Sequence, residues 1–86
     1  MYYVYILYSL KDKKFYKGFT TDLKRRIEQH NSGKNRSTSY RRPLKLVYYE
    51  AYLMKEDAQA REKYLKTSMG KRVVKKQLKH MIEELK

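Results

Sequence analysis

Five side chains in this sequence have types and placings that could do chemistry: Tyr5, Tyr16, Arg26, His30 and Glu62. The two tyrosines sit in separate apolar runs, "VYILY" and "FYKGF", joined by the lysine-rich bend "SLKDKK". Adjacent segments therefore carry two aromatic hydroxyls. Arg26 and His30 fall on one side of a helical stretch. At ~100° per residue from Leu23, Ile27 lies at about 40°, His30 at about 340° and Arg26 at about 300°. Both flank the apolar stripe and lean towards the rest of the protein, whereas Arg25, at about 200°, faces solvent. The plain reading of Arg26 is a boundary arginine with its stem along the core. The plain reading of His30 is a helix-terminal histidine favoured by the dipole. Glu62 stands out on a second helical stretch. With Ala58 at zero, Leu65 lies at about 340°, Met69 at about 20° and Glu62 at about 40°, inside the apolar stripe. A carboxylate there needs a partner. That partner is either an arginine, such as Arg26, or a hard divalent cation of the Mg²⁺ or Mn²⁺ kind, which takes one or two carboxylates and fills its shell with water and phosphate oxygens. Helix geometry does not separate the two.

These side chains must be positioned by a small set of elements. Residues 2–8 are all aromatic or aliphatic, the pattern of a strand covered on both faces and so central in its sheet. Residues 15–19 pair with it as a hairpin, with Tyr16 and Gly18 on one face and Phe15, Lys17 and Phe19 on the other. Thr21 or Asp22 caps a helix over Leu23 to Asn31, with Gly33 as its stop. Residues 33–43, "GKNRSTSYRRP", read as a mobile basic loop, and residues 44–52 as a third strand. A second helix is expected from Lys55 to Met69, stopped by Gly70. A third, basic helix follows over 71–86, its end frayed. The expected fold is α+β: one domain over 1–86, with a small three-stranded antiparallel sheet flanked by helices in the order strand, strand, helix, strand, helix, helix.

Composition bounds the partner. Twenty-two Lys and Arg oppose nine Asp and Glu, a net charge of +13 on 86 residues. Such a surface attracts a polyanion, most often nucleic acid; a merely solvated basic surface is the plain alternative. Lys34, Arg36, Arg41 and Arg42 concentrate in the 33–43 loop, and Tyr40 beside them either stacks on a base or is an ordinary loop aromatic. Most of the ten tyrosines, including Tyr2, Tyr8, Tyr48, Tyr49, Tyr52 and Tyr64, read as packing residues with a wet end. The absence of cysteine removes disulfides and thiolate metal sites and suits a reducing, cytoplasmic setting. No apolar run approaches the ~20 residues of a membrane span, and the first ten residues lack the marks of a signal peptide, so no membrane partner is expected.

The chain resembles the GIY-YIG nuclease domain, specifically the small stand-alone members similar to the nuclease module of excision-repair incision proteins. Tyr3-Val4-Tyr5 matches the first motif element and Tyr16-Lys17-Gly18 the second. "TTDLKRRIEQHNSG" matches the next stretch, with Arg26 and His30 in place. "RRPLKLVYYE" resembles the following strand, and "AQAREKYLK" the helix that bears the glutamate. The match runs from about residue 2 to residue 75. Tyr3-Val4 replaces Gly-Ile, and Lys17 replaces Ile.

That resemblance implies metal-dependent hydrolysis of DNA phosphodiester bonds, structure-selective rather than sequence-selective, in repair or recombination. Tyr5 would act as general base, with Tyr16 near the scissile phosphate. Arg26 would neutralise developing charge. Glu62 would hold one divalent ion, Mg²⁺ or Mn²⁺. Gly18 would admit a close approach, and His30 would contact phosphate or relay a proton to Tyr5. Lys17, Arg25, Lys34, Arg36, Tyr40, Arg41 and Arg42 would contact nucleic acid. The demand on tyrosine is severe, because a phenol at its ordinary pKa is only about 0.1% ionised at pH 7. Two other readings stand beside this one: a non-catalytic nucleic-acid-binding module on the same fold, and a subunit that needs a targeting partner protein.

Overall fold

A computed structural model of the chain describes residues 1–85; Lys86, the end of the expected third helix, lies outside the described residues. The elements are β1 (Tyr2–Ser9), β2 (Phe15–Thr20), α1 (Leu23–Asn31), β3 (Leu44–Tyr52), α2 (Lys55–Leu65), α3 (Ser68–Gln77) and α4 (Lys79–Glu84), with a 3₁₀ turn at Ser39–Arg41. The all-apolar β1 is the central strand of an antiparallel sheet ordered β2-β1-β3. Its side chains alternate between two cores. Val4 and Ile6 pack with Ala58, Leu65 and Val74 from α2 and α3. Tyr5 and Leu7 pack on the other face with Leu44, and with Leu23 and Ile27 from α1. Each fully buried aliphatic side chain contributes roughly 1.5–3 kcal/mol, which is why a strand with no polar position is stable only in the middle of such a sandwich. Along β3, Ile6 faces Tyr48 and Leu7 faces Leu46, so Val47 is an extra residue in a bulge.

The start of α1 is fixed by Asp22, not Thr21: its carboxylate accepts from the Arg25 N–H at 3.2 Å. Gly33 ends the helix with φ +82°, its N–H reaching the His30 carbonyl. The loop that follows is tied to the rest of the chain by polar contacts. Thr38 is buried, Ser9 Oγ donates to the Arg41 carbonyl at 2.6 Å, and the Asn31 carboxamide both donates to and accepts from the Leu44 backbone at 2.9 Å. Short polar side chains satisfy the backbone here, on either side of the 3₁₀ turn at Ser39–Arg41.

The helices after β3 divide differently from the expected pattern. The second helix ends at Leu65 rather than Met69, and Gly70 is not its stop. Thr67 caps a new helix, its Oγ1 accepting from the Gly70 N–H at 3.1 Å. Gly70 lies in the first turn of α3, against the α2 end. A Cβ there would come within 2.6 Å of Leu65 Cα and closer still to the Tyr64 carbonyl oxygen. The local cap overrides the hydrophobic phase, and Met69 ends up exposed. The last basic stretch breaks again at Leu78, into α3 and α4. Among the described residues, no helix is long and apolar enough to cross a membrane.

Candidate active site

The site is built on the β1–β2 hairpin. Antiparallel register sets Tyr5 directly opposite Gly18. Tyr5 is 1% exposed, and its ring lies across the glycine. A Cβ at Gly18 would meet Tyr5 Cε1 at 2.8 Å and would overlap Cζ and the hydroxyl oxygen outright. Gly18 thus makes room for a tyrosine ring running towards the open edge of β2. Tyr16, two residues before Gly18 on the same face, brings its ring to 6.4 Å from Tyr5 and 5.1 Å from His30, centroid to centroid.

α1 supplies the other half. Its apolar phase, set by Leu23 and Ile27, turns His30 fully inward and leaves Arg26 half-buried and Arg25 exposed. The Tyr5 hydroxyl and His30 Nε2 are 2.9 Å apart, and His30 Nδ1 is 2.7 Å from Thr38 Oγ1. The result is a buried line of hydrogen bonds, Tyr5–His30–Thr38. Burial pushes the Tyr5 phenol well above its ordinary range. The neighbouring Tyr16 pushes the same way, the Arg26 guanidinium opposes it, and Glu62 adds a further rise. Burial, aided by Arg26, holds His30 below the ordinary histidine pKa. At neutral pH the pair is therefore neutral phenol and neutral imidazole. When the Tyr5 hydroxyl donates to Nε2, Nδ1–H donates to Thr38, and His30 is oriented to receive the tyrosine proton. Thr38 had no signal beyond its place among small polar loop residues.

Glu62 occupies the margin of its helix stripe rather than the inside. Ala58 and Leu65 are buried, but the Glu62 side chain is 24% exposed, because a long side chain about 40° off the stripe can reach round to water. Its ion-pair partner is Lys66, one turn on at 3.3 Å, not Arg26. Among the described residues no three His, Cys, Asp or Glu side chains come together as a metal cage. The donor set fits a hard divalent ion held by one carboxylate, with water and phosphate completing its shell.

The other expected contacts separate into free and engaged groups. Lys34 and Arg36 are exposed, and Tyr40 is 67% exposed. Arg25 and Lys34 share a shallow cleft on the outer side of α1. Arg41 is not free for nucleic acid. It pairs with Asp12 at 2.6 Å, donates to the Phe15 carbonyl, and is 13% exposed, tying the loop to the hairpin bend. Arg42 folds back: its Nε donates to the Ser39 carbonyl at 2.7 Å and its guanidinium lies over Gly33. Lys17 points to the opposite face from Tyr16, half-buried towards α3.

A second polar cluster on the α2 face went unread in the sequence. Glu50 accepts from Tyr48 and Tyr52, each at 2.5 Å, and from Arg61 at 3.1 Å. Burial raises the Glu50 carboxyl, but these hydrogen bonds outweigh it and hold the pKa below the usual range. Burial and the Glu50 bond push Tyr52 up to about 12. Tyr48 and Tyr52 are more than packing residues: they hold the Glu50 carboxylate, which fastens β3 to α2 through Arg61. The alternation Tyr48, Glu50, Tyr52 on one strand face was the available signal.

Comparison with known proteins bears directly on this geometry. Residues 1–77 match the family model described as the GIY-YIG catalytic domain. The chain belongs to the GIY-YIG family. A UPF0213 protein of Streptococcus pyogenes serotype M5 (strain Manfredo) is 46% identical over 65 residues, covering 74% of this chain and 70% of that one. A UPF0213 protein of Clostridium perfringens (strain 13 / Type A) is 48% identical over 67 residues, covering 77% and 71%. The solution NMR structure of a UPF0213 protein from Bacillus halodurans matches with a TM-score of 0.53 at 41% identity, over 86% of this chain and 82% of that one. The GIY-YIG match covers both tyrosines, Gly18, Arg26, His30 and Glu62, and it makes the function one of the nuclease type.

Proposed function

We propose that the protein is a metal-dependent endonuclease that hydrolyses DNA phosphodiester bonds, and that Tyr5 works as a base by passing its own proton to His30. The 2.9 Å contact between the Tyr5 hydroxyl and His30 Nε2, inside a family of catalytic domains, carries this reading. A raised phenol pKa makes free phenolate rarer still than the ~0.1% of an ordinary tyrosine, so pre-ionised Tyr5 is a poor base. The hydrogen bond removes that difficulty. As the attacking water gives a proton to Tyr5, Tyr5 gives its proton to Nε2, and the charge ends on the imidazolium. Nδ1–H, donated to Thr38, keeps the ring in the accepting tautomer. Arg26 stabilises negative charge on the phosphoryl oxygens and on Tyr5. Tyr16 flanks the same space and positions the phosphate. Glu62 would hold Mg²⁺ or Mn²⁺, which when bound neutralises phosphate charge and eases departure of the leaving oxygen.

The substrate we favour is DNA with a junction, flap or nick rather than a defined sequence, as in repair or recombination. Selection of target would fall to DNA shape or to a targeting partner. One observation favours a second reading, a non-catalytic binding module: Lys66 already neutralises Glu62. Purified protein incubated with plain, nicked, flapped and branched DNA, with Mg²⁺ or Mn²⁺, beside Glu62→Ala, separates the two. Metal-dependent products lost in Glu62→Ala support the nuclease. Binding without products in any arm supports the module.

A further inference from the structure

Across the β2 edge from the tyrosines lies a groove of about 320 Å³ lined by Lys13, Lys14, Lys17, Lys71 and Lys75, with Phe15 and Val74 as its apolar floor. The lysines come from three separate elements: the hairpin bend, β2 and α3. None of the groove-lining residues is acidic. Each feature is costly in the free protein. Lys71 and Lys75 repeat a like charge one helical turn apart, an arrangement that weakens a helix. Lys17 is half-buried among them, and burial followed by Lys71, Lys75 and Lys66 holds its ammonium below the ordinary lysine range. Lys13 adopts φ 61°, a left-handed conformation that glycine or asparagine takes without strain.

We propose that this groove is a phosphate-backbone track, gripping the nucleic acid on the far side of the β2 edge from Tyr5, Tyr16 and His30. The assignment rests on the nucleic-acid reading of the chain. A run of phosphates offsets several ammonium groups at once, as a single small anion does not, and the groove offers no exposed aromatic or polar reader for a base. Its position fits the same ligand. Lys17 stands between Tyr16 and Gly18 in sequence, and β2 is an edge strand of the described sheet. A backbone with one phosphate beside Tyr5 needs only to round that edge to meet Lys17. Lys66, paired with Glu62 and near enough to perturb Lys17, links the two regions.

The test reads binding, not cleavage, so it stands apart from the nuclease proposal. Anisotropy of a labelled DNA duplex is followed in EDTA from about 50 to 200 mM salt. Three variants are compared: Lys14→Gln/Lys71→Gln/Lys75→Gln, the control Lys24→Gln/Lys45→Gln/Lys55→Gln with the same loss of charge, and Lys14→Arg/Lys71→Arg/Lys75→Arg. All nine substitutions fall on exposed lysines. The groove triple should flatten the slope of log K against log salt by about 2–3, at ~0.9 per phosphate contact, while the control and the arginine triple keep the wild-type slope. Equal flattening in the two glutamine triples, or none in the groove triple, overturns the proposal. Competition by poly-glutamate as effective as unlabelled duplex at equal charge also overturns it, in favour of an acidic protein partner. Should wild type bind with the expected slopes yet cut nothing, the nuclease reading fails and the track stands.

Discussion

Gly18→Ala should disable the protein although it removes no functional group. The added methyl carbon would lie 2.8 Å from Tyr5 Cε1 and closer still to Cζ and Oη, against an ordinary contact of 3.4–4 Å. Tyr5 is 1% exposed, so it cannot swing to solvent, and the methyl cannot turn aside because β2 is paired at this position. The ring must retreat by about 1 Å, which stretches the bond to His30 from 2.9 Å to a separation beyond hydrogen-bonding range. Overpacking costs ~1–3 kcal/mol, and a buried hydroxyl and imidazole left unpaired add ~1–3 kcal/mol. The sum, ~2–6 kcal/mol, should lower Tm by at least about 8 °C in a chain of this size. Nicking at a temperature where circular dichroism shows the variant folded should fall by ~100-fold or more, the scale of a misplacement of about 1 Å. A variant with wild-type Tm and wild-type nicking would show that Gly18 does not position Tyr5.

Glu62→Gln should abolish nicking and change stability by less than about 0.5 kcal/mol, since it breaks one half-exposed pair a helical turn apart; a loss above ~2 kcal/mol in a denaturant melt would mark Glu62 as structural. His30 must be neutral to accept a proton, and its folded pKa lies below the ordinary ~6.5. The acid limb of nicking should therefore lie below the ordinary histidine midpoint and should move upward in Arg26→Gln, where one of the causes depressing His30 is gone; an acid limb above pH 7 in wild type would contradict the assignment. Lys13→Gly should raise stability by about 0.5–1 kcal/mol, because relief of a left-handed residue, ~1–2 kcal/mol, exceeds the extra chain entropy of glycine, ~0.4–1 kcal/mol. The same substitution should weaken DNA binding, and unchanged affinity would remove Lys13 from the track.

Much of this architecture was legible because it is written in period. An uninterrupted apolar run marked the central strand. Period two separated Tyr16 and Gly18 from Lys17, and the phase of α1 distinguished Arg26 from Arg25. What escaped was set by contacts between segments distant in sequence. Arg41 is engaged by Asp12, 29 residues away, so a basic loop residue became a structural tie. Thr38 met His30 across a loop with no periodicity to read. Gly70 looked like a helix stop, but Thr67 supplied a cap first and the glycine became a packing position. Glu62 was assigned to the right helix but to too buried a position, because a wheel fixes the direction of Cβ and not where a long side chain ends.

In the proposed reaction Tyr5 and His30 move a proton during phosphodiester cleavage. Single-turnover nicking of supercoiled plasmid by wild type and Tyr5→Phe, with Mg²⁺ or Mn²⁺ and with EDTA, tests it most directly when DNA affinity is measured on the same samples. Wild type should nick with metal and stop in EDTA. Tyr5→Phe should bind plasmid with unchanged Kd and nick at least about 100-fold more slowly, the lower end of what a positioned base contributes. Nicking by Tyr5→Phe at the wild-type rate, or no nicking by wild type with either metal, would contradict it.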